Sequence, residues 1–293
     1  MPTLRGLWSK KKKAVLLTIL AGFLWGTSFP AIKIGLKYVD AYSFVFLRFL
    51  LASLIMLAIA LATRNFATKF EKKRLILALG IINGLAYLLQ YAGMVEVSAS
   101  ASSLFVNLSV VWVALLTPLL LHERLGLKKA LGVTCSLLGV IFMTTNLDFA
   151  SLTQGAILTN FLVIAAGVLW GVFIVYNKPL VTNNETLIQA VTWLLIFTLL
   201  PLLPIAPFSA GNLVSVPLEA WLAILYTAVF CWVVPYYLWL KGLKHISPVT
   251  SAIALLTEIV AAVIIATVAL GEIFTVVSGV GAILIIIAIV LVA

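Results

Sequence analysis

Apolar stretches of about 20 residues follow one another along the chain with only short connections, and residues 282–293 are apolar throughout. A helix of that length spans a bilayer core of about 30 Å at about 1.5 Å per residue. A membrane barrel would need short segments of alternating polarity. Helices satisfy their own backbone hydrogen bonds in lipid, so the sequence predicts an all-α integral membrane protein.

Ten transmembrane helices are predicted, and they leave no room for a sizeable water-soluble domain. The chain of 293 residues is 64% apolar and 10% charged, whereas soluble domains are typically about 45–50% apolar and 25% charged. The predicted spans are 14–36, 42–63, 75–95, 98–121, 127–146, 154–177, 186–206, 218–240, 247–270 and 275–293.

The basic residues lie mainly on one side of the predicted membrane. Sixteen of the 19 Lys and Arg residues fall in the N-terminus and in alternate connections. The positive-inside rule therefore places both termini in the cytoplasm, with 1–13 as a basic cytoplasmic segment. This pattern explains the net charge of +10 without a nucleic-acid partner. The first apolar run is too long for a secretory signal and lacks a cleavage site, which favours an uncleaved helix in the inner membrane.

Cysteine and histidine indicate neither a disulfide framework nor a metal site. Cys135 and Cys231 fall within spans, and His122 and His245 lie at predicted inner helix ends. These four residues lack metal-ligand spacing, so no cofactor or metal is expected.

The sequence contains an internal repeat. Gly22-Phe-Leu-Trp-Gly26 recurs as Gly167-Val-Leu-Trp-Gly171, an offset of 145 residues. Six further matches at an offset of 149 pair Gly93, Ser98, Ser102, Leu121, Glu123 and Gly132 with Gly242, Ser247, Ser251, Leu270, Glu272 and Gly281. Each predicted repeat, 14–146 and 154–293, holds five spans. An odd number inverts the second copy, and inverted repeats are typical of carriers that work by alternating access.

Three motifs also carry a family resemblance. They are Leu24-Trp25-Gly26 with Phe29-Pro30, then Phe46-Leu47-Arg48-Phe49, then Glu123-Arg124-Leu125 before Gly132 and Gly139. The chain resembles the ten-helix branch of the drug/metabolite transporter superfamily, with two EamA-type domains. The resemblance implies a central cavity bordered by spans 1, 3, 4, 6, 8 and 9, with spans 5 and 10 packed at one end. Similar members export amino acids and other metabolites.

The resemblance has one departure in the fourth and ninth spans. Val110 and Ile259 stand where the family often has proline, so proline-induced kinks are not implied there. The glutamate that commonly precedes the second of these prolines is retained as Glu258.

Glu258 is the leading candidate for substrate binding or ion coupling, because it lies about 15 Å into the ninth span. A charge at that depth costs at least about 2.5–3.5 kcal/mol, so Glu258 should face a cavity, pair with a cation or be protonated. Lys33 could either hold a substrate carboxylate or phosphate or extend to the membrane surface. Arg48 is interpreted as a structural charge.

Several polar and aromatic residues near mid-depth could build an amphipathic pocket with Glu258 and Lys33. They are Trp25, Tyr87, Gln90, Asn107, Trp112, Trp170, Tyr226, Trp232 and Tyr237. The four-residue spacing in Gly22/Gly26 and Gly167/Gly171 predicts close helix contacts. Pro30, Pro118 and Pro235 can bend their helices, and Pro235 is the preferred gate hinge.

These features favour a secondary carrier that exports small polar metabolites, with amino acids as the predicted class. The chain lacks a Walker-type loop, so protons or a counter-substrate would supply the energy. The closest alternative is a carrier of phosphorylated or nucleotide-linked sugars, which would need cationic clamps. An intramembrane enzyme would need a set of catalytic residues, and the sequence contains no His-Glu-x-x-His motif. A channel is also disfavoured, because the inverted repeat predicts two access states, which a channel would not need. The partners of the predicted carrier would be the substrate and the lipid bilayer, and the protein would be a monomer or a weak homodimer.

Overall fold

The computed structural model describes residues 4–66, 71–93, 96–97, 99–150, 157–181, 186–205, 216–270 and 273–293, and these contain helices but no strands. The helices are α1 Leu4–Gly26, α2 Ser28–Gly35, α3 Ala41–Ala62, α4 Lys73–Gly93, α5 Ala99–Asn107, α6 Ser109–Leu121, α7 Leu127–Thr145, α8 Ile157–Val181, α9 Leu187–Leu202, α10 Leu218–Ala228, α11 Val234–Leu243, α12 Pro248–Leu255, α13 Thr257–Leu270 and α14 Val276–Val292. A short 3₁₀ turn, Leu203–Ile205, follows α9, and a π-helical turn, Val229–Val233, joins α10 to α11.

Length and apolarity support a protein that crosses the membrane several times. Seven helical segments in the described part are long and apolar enough to span a bilayer. They are Ala41–Ala62, Lys73–Gly93, Ser102–Leu121, Leu127–Thr145, Ile157–Val181, Leu218–Leu243 and Pro248–Ile265, and the shorter Leu187–Leu202 and Val276–Val292 are also apolar. The all-helical prediction is confirmed, while ten crossings and cytoplasmic termini remain predictions.

Three of the helical rods are interrupted by a single residue. Thr27 separates α1 from α2, Leu108 separates α5 from α6, and Leu256 separates α12 from α13. Their ψ angles are −12°, −11° and −8°, whereas an α-helix has about −42°. At Leu108 and Leu256 the backbone tightens into a 3₁₀-type turn, with i→i−3 hydrogen bonds from Val111 to Leu108 and from Ile259 to Leu256. The fourth and ninth predicted spans are thus broken although Val110 and Ile259 replace the family prolines.

The candidate hinge prolines occupy different local settings. Pro118 lies inside α6, and Pro235 is in the first turn of α11, directly after the π turn. A π turn is a local widening that is often found at functional sites. Pro30 belongs to α2, but its side chain lies outside the described part of the structure.

The four repeated glycines lie where two helices come closest. A Cβ built on Gly22 would lie 2.7 Å from the carbonyl oxygen of Leu255, and one on Gly26 would lie 2.5 Å from that of Glu258. A Cβ on Gly167 would lie 2.5 Å from the Phe105 carbonyl oxygen, and one on Gly171 would lie 2.5 Å from Trp112 Cβ. Any side chain at these positions would push two helices apart.

A further glycine pair makes matched contacts in the two halves. A Cβ on Gly93 would lie 2.7 Å from the Thr159 carbonyl oxygen, and one on Gly242 would lie 2.6 Å from that of Ala14. Gly93 and Gly242 are 149 residues apart, and Ala14 and Thr159 are 145 apart, as in the sequence repeat. The first helix of each half therefore packs on the other half in the same manner.

Two groups of helices result from this packing. In the first group α1 packs chiefly on α11, α12 and α13, and in the second α8 packs chiefly on α4, α5 and α6. The helices α7 and α14 pack against each other through Gly139 and Gly281. A central cavity is bordered by helices from both groups and by α2 and α3.

Candidate functional site

The central cavity has a volume of about 340 Å³, and eight aromatic and nine aliphatic side chains are among its described lining residues. We call a circuit of seven rings the aromatic belt, because each contacts the next, and all of them except Phe49 line the cavity. They are Phe49, Tyr87, Trp170, Phe173, Trp239, Tyr236 and Trp232. Successive ring centroids lie 4.6–6.0 Å apart, and the Trp232–Phe49 contact of 5.4 Å closes the circuit. Trp25 extends the belt from Trp239 at 6.0 Å.

Polar partners fix several belt rings in place. The Trp239 indole N–H donates to Ser251 Oγ at 2.7 Å, and the Tyr236 hydroxyl donates to Asn177 Oδ1 at 2.6 Å. Trp170 donates to Gln90 Oε1 at 3.4 Å. Buried indole and phenol groups need such partners, so these bonds orient the rings and leave their faces as the cavity wall.

Arg48 borders the cavity from α3 and is only 2% exposed. One Nη donates to the Cys231 carbonyl oxygen in the π turn at 3.0 Å, in keeping with a structural role. The guanidinium also lies 5.6 Å from the centroid of Tyr87 and 5.7 Å from that of Phe49, within the range of cation–π attraction. Among the described residues, nothing accepts a hydrogen bond from Arg48 Nε.

Glu258 borders the same cavity from the first turn of α13. Its side chain makes no hydrogen bond or ion pair with any residue that the structure describes. The interruption at Leu256 restarts the helix just before Glu258, and a carboxylate in a first turn gains about 0.3–1 kcal/mol from the helix dipole. A continuous ninth span, as the sequence predicts, would not provide this local stabilisation.

Three amide side chains complete the polar part of the wall. Asn83 is fully buried in α4, and its Nδ2 donates to Thr198 Oγ1 at 3.1 Å. Asn83 Oδ1 has no partner among the described residues. Asn107 ends α5 and donates to the Ser103 carbonyl oxygen at 2.8 Å. Gln90, the third, is the acceptor for Trp170.

The structure brings most of the predicted site residues together. The cavity is lined by Glu258, Trp25, Tyr87, Gln90, Asn107, Trp170 and Trp232, and by Arg48. The side chain of Lys33 lies outside the described part, so its predicted role remains a prediction.

Three predicted residues lie elsewhere. Trp112 packs against Gly171 at the α6–α8 contact, and the Tyr226 hydroxyl donates to Thr27 Oγ1 at 2.8 Å. The ring of Tyr237 faces the ammonium of Lys241 at 4.5 Å. Mid-depth position alone does not distinguish a cavity face from a packing face.

The cavity also has lining residues that are absent from the predicted set, among them Asn83, Tyr91, Ser109, Phe173, Tyr236 and Trp239. Helical spacing was the available signal. Tyr236 and Trp239 follow Trp232 by four and seven residues, which places the three on one helix face. Phe173 follows Trp170 by three, and Asn83 precedes Tyr87 by four, with the same consequence.

A helical membrane bundle around a central cavity that holds both a cation and an anion is typical of small-molecule transporters. Residues 12–145 and 157–293 each match the EamA-like transporter family. The chain belongs to this family, and the resemblance to drug/metabolite transporters is confirmed.

Several relatives share most of the chain. An uncharacterized transporter of Archaeoglobus fulgidus is 29% identical over 245 residues, covering 82% of this chain and 83% of that protein. A probable terminal-alkyne amino-acid exporter of Streptantibioticus cattleyicolor is 26% identical, covering 90% and 88%. A solved crystal structure aligns with a TM-score of 0.79 over 96% of both chains at 17% identity, which shows a shared fold.

Proposed function

We propose that this protein is a secondary carrier that exports amino acids across the inner membrane. The observation that supports this best is the presence of Arg48 and Glu258 on the wall of one aromatic cavity. An amino acid is a zwitterion, so the two charges complement its carboxylate and its ammonium group. The similarity to a probable amino-acid exporter agrees with this substrate class.

Alternating access is the mechanism that the packing favours. The matched glycine contacts support two repeats, 14–146 and 154–293, related by inversion. In such carriers one central site opens to either side as the two repeats exchange conformations. The cavity borders both helix groups, so relative movement of the groups would change its access. Both termini are proposed to face the cytoplasm.

Glu258 is the proposed coupling group. A carboxylate without an ion partner is costly within a membrane, and binding a proton removes that cost. Proton uptake and release by Glu258 could therefore link substrate movement to a proton gradient. Exchange against a counter-substrate is the other source of energy that needs no nucleotide.

The proposal is tested by uptake of radiolabelled amino acids into proteoliposomes, with and without an imposed proton gradient. We expect saturable uptake that depends on the gradient in the wild type and loses that dependence in Glu258→Gln. Glu219→Gln is the control, because Glu219 is exposed in the first turn of α10.

Two outcomes would contradict separate parts of the proposal. Gradient-dependent uptake that is unchanged in Glu258→Gln at every pH would exclude Glu258 as the coupling group. Failure of a folded protein to take up any amino acid would contradict the substrate class, and phosphorylated or nucleotide-linked sugars would be examined next.

A further inference from the structure

The walls of the cavity narrow the class of amino acid that fits. Building on the proposed function, we infer that the preferred substrates are α-amino acids with a large, flat, apolar side chain, such as an aromatic ring. Eight of the described lining residues are aromatic, and three of these, Trp232, Tyr236 and Trp239, come from one helical segment. The polar groups of Trp170, Tyr236 and Trp239 are bonded to Gln90, Asn177 and Ser251, so the ring surfaces of these residues are an apolar part of the wall. Such a surface binds another flat apolar group by stacking and edge contacts.

The polar groups of the wall are placed to hold the other end of such a substrate. Arg48 uses one of its five N–H donors on Cys231, and its Nε is a buried donor with no described partner. Asn83 Oδ1 is a buried acceptor with no described partner in the same wall. Buried polar groups are normally satisfied. A ligand that brings a carboxylate and an ammonium group would complement the charges of Arg48 and Glu258, which both line the cavity.

Other ligand classes fit less well. A lipophilic cation would match the rings and Glu258, but it would leave the buried cation of Arg48 facing a second positive charge. A phosphorylated ligand carries about two negative charges, and Arg48 is the only cation among the described lining residues. A small polar amino acid would leave the aromatic faces without an apolar partner.

The side-chain preference is measured by competition against uptake of radiolabelled phenylalanine into proteoliposomes of the full chain. Unlabelled tryptophan and phenylalanine should compete at concentrations about tenfold or more below those needed for alanine and serine, because larger apolar groups gain more in a matching pocket. Tryptamine lacks the carboxylate and indole-3-propionate lacks the ammonium, and each should compete about tenfold or more weakly than tryptophan.

A binding measurement keeps this inference separate from transport. Phenylalanine should raise the melting temperature of the detergent-solubilised protein more than equal concentrations of alanine, since a tighter ligand stabilises the folded state more. Equal competition by alanine and phenylalanine, together with saturable uptake, would overturn the aromatic preference and leave the carrier intact. No saturable uptake of any amino acid would overturn the proposed function itself.

A separate set of contacts involves Lys178 at the C-terminal end of α8. The ammonium of Lys178 donates to the carbonyl oxygens of Leu243 and Ile246, both at 2.8 Å, and to that of Lys244 at 3.3 Å. These carbonyls belong to the end of α11 and to the α11–α12 connection. Nearby, the bond between Tyr236 and Asn177 joins the same two helices.

These contacts bridge the two helix groups. Since α8 packs chiefly on α4, α5 and α6 while α11 packs on α1, Lys178 joins helices that otherwise belong to different groups. On the proposed alternating-access mechanism, we propose that Lys178 is a latch that holds the two helix groups together at this end. Opening there would require the ammonium to leave all three carbonyls.

The latch is tested by hydrogen exchange of the protein in lipid nanodiscs. Lys178→Met should raise amide exchange several-fold in the α11–α12 connection, while the α7–α14 pair stays as in the wild type. Lys244→Met is the matched control, because its side chain is exposed in the same connection. Faster exchange everywhere would indicate general destabilisation instead of a latch. Unchanged exchange in the connection would also overturn the proposal.

Discussion

Gly167→Ala provides a direct test of the close contact between α8 and α5. The new Cβ would lie 2.5 Å from the Phe105 carbonyl oxygen, whereas ordinary contacts of this kind are about 3.4 Å or longer. The neighbour is backbone, so relief requires one helix to move by nearly 1 Å. Small-to-large changes in a packed interior cost about 1–3 kcal/mol, and a backbone clash belongs at the upper end of that range.

Helix propensity acts in the opposite direction and must be subtracted. Alanine is favoured over glycine inside a helix by about 1 kcal/mol, so the net loss for Gly167→Ala is about 2 kcal/mol. For a chain of roughly this size, about 2–4 °C of melting temperature corresponds to 1 kcal/mol. We therefore expect the melting temperature to fall by about 4–8 °C.

Gly279→Ala is the matched control in α14. Its Cβ would meet the Phe274 ring at 3.4 Å, an ordinary contact. Only the propensity gain of up to about 1 kcal/mol then remains, so the melting temperature should rise by about 2–4 °C. Both variants are compared with the wild type by thermal unfolding in the same detergent. A Gly167→Ala protein that melts at or above the wild type would refute the close helix approach.

Three further predictions concern stability. Asp40 is the N-cap of α3, and its carboxylate accepts hydrogen bonds from the amides of Tyr42 and Ser43. Asp40→Ala should lower the free energy of unfolding by about 1 kcal/mol in a thermal unfolding assay. Asp40→Asn should retain most of this stability, because asparagine is also a good N-cap. Ser251→Ala leaves the buried Trp239 N–H without its acceptor and should cost about 1–3 kcal/mol in the same assay, and no loss would argue against this bond. Partial burial, and then the charges of Lys244 and other nearby lysines, lower the pKa of His245 below 6.5. Folding therefore favours the neutral form of His245, so this contribution to stability is present above about pH 6.5 and is lost as the pH falls. The melting temperature should accordingly depend less on pH in His245→Gln than in the wild type.

The helices could be predicted closely because length and apolarity determine them in a membrane. Predicted 127–146 corresponds to Leu127–Thr145, and predicted 42–63 corresponds to Ala41–Ala62. The interruptions at Leu108 and Leu256 could not be predicted, because leucine is a good helix former. Their 3₁₀ turns have no local sequence cause and arise from the packing of the whole bundle.

The candidate site could be predicted in part. Glu258 was apparent because an acidic residue stands alone in an apolar run. The structural interpretation of Arg48 agrees with its bond to the π turn, and a motif cannot show that its guanidinium also borders a cavity. Trp112 and Tyr237 are not among the described lining residues, because depth in the membrane is readable from sequence, whereas the direction a helix face takes depends on its neighbours.

Because α1 packs on helices of the second half and α8 packs on helices of the first half, neither half of the sequence forms a complete helix group by itself. The two halves exchange their first helices, as two subunits exchange an identical element in a domain-swapped dimer. A break in the polypeptide between residues 146 and 157 would therefore produce two fragments that each lack a packing partner for their leading helix. The fragments should be unstable when made separately and should associate into a working bundle when made together.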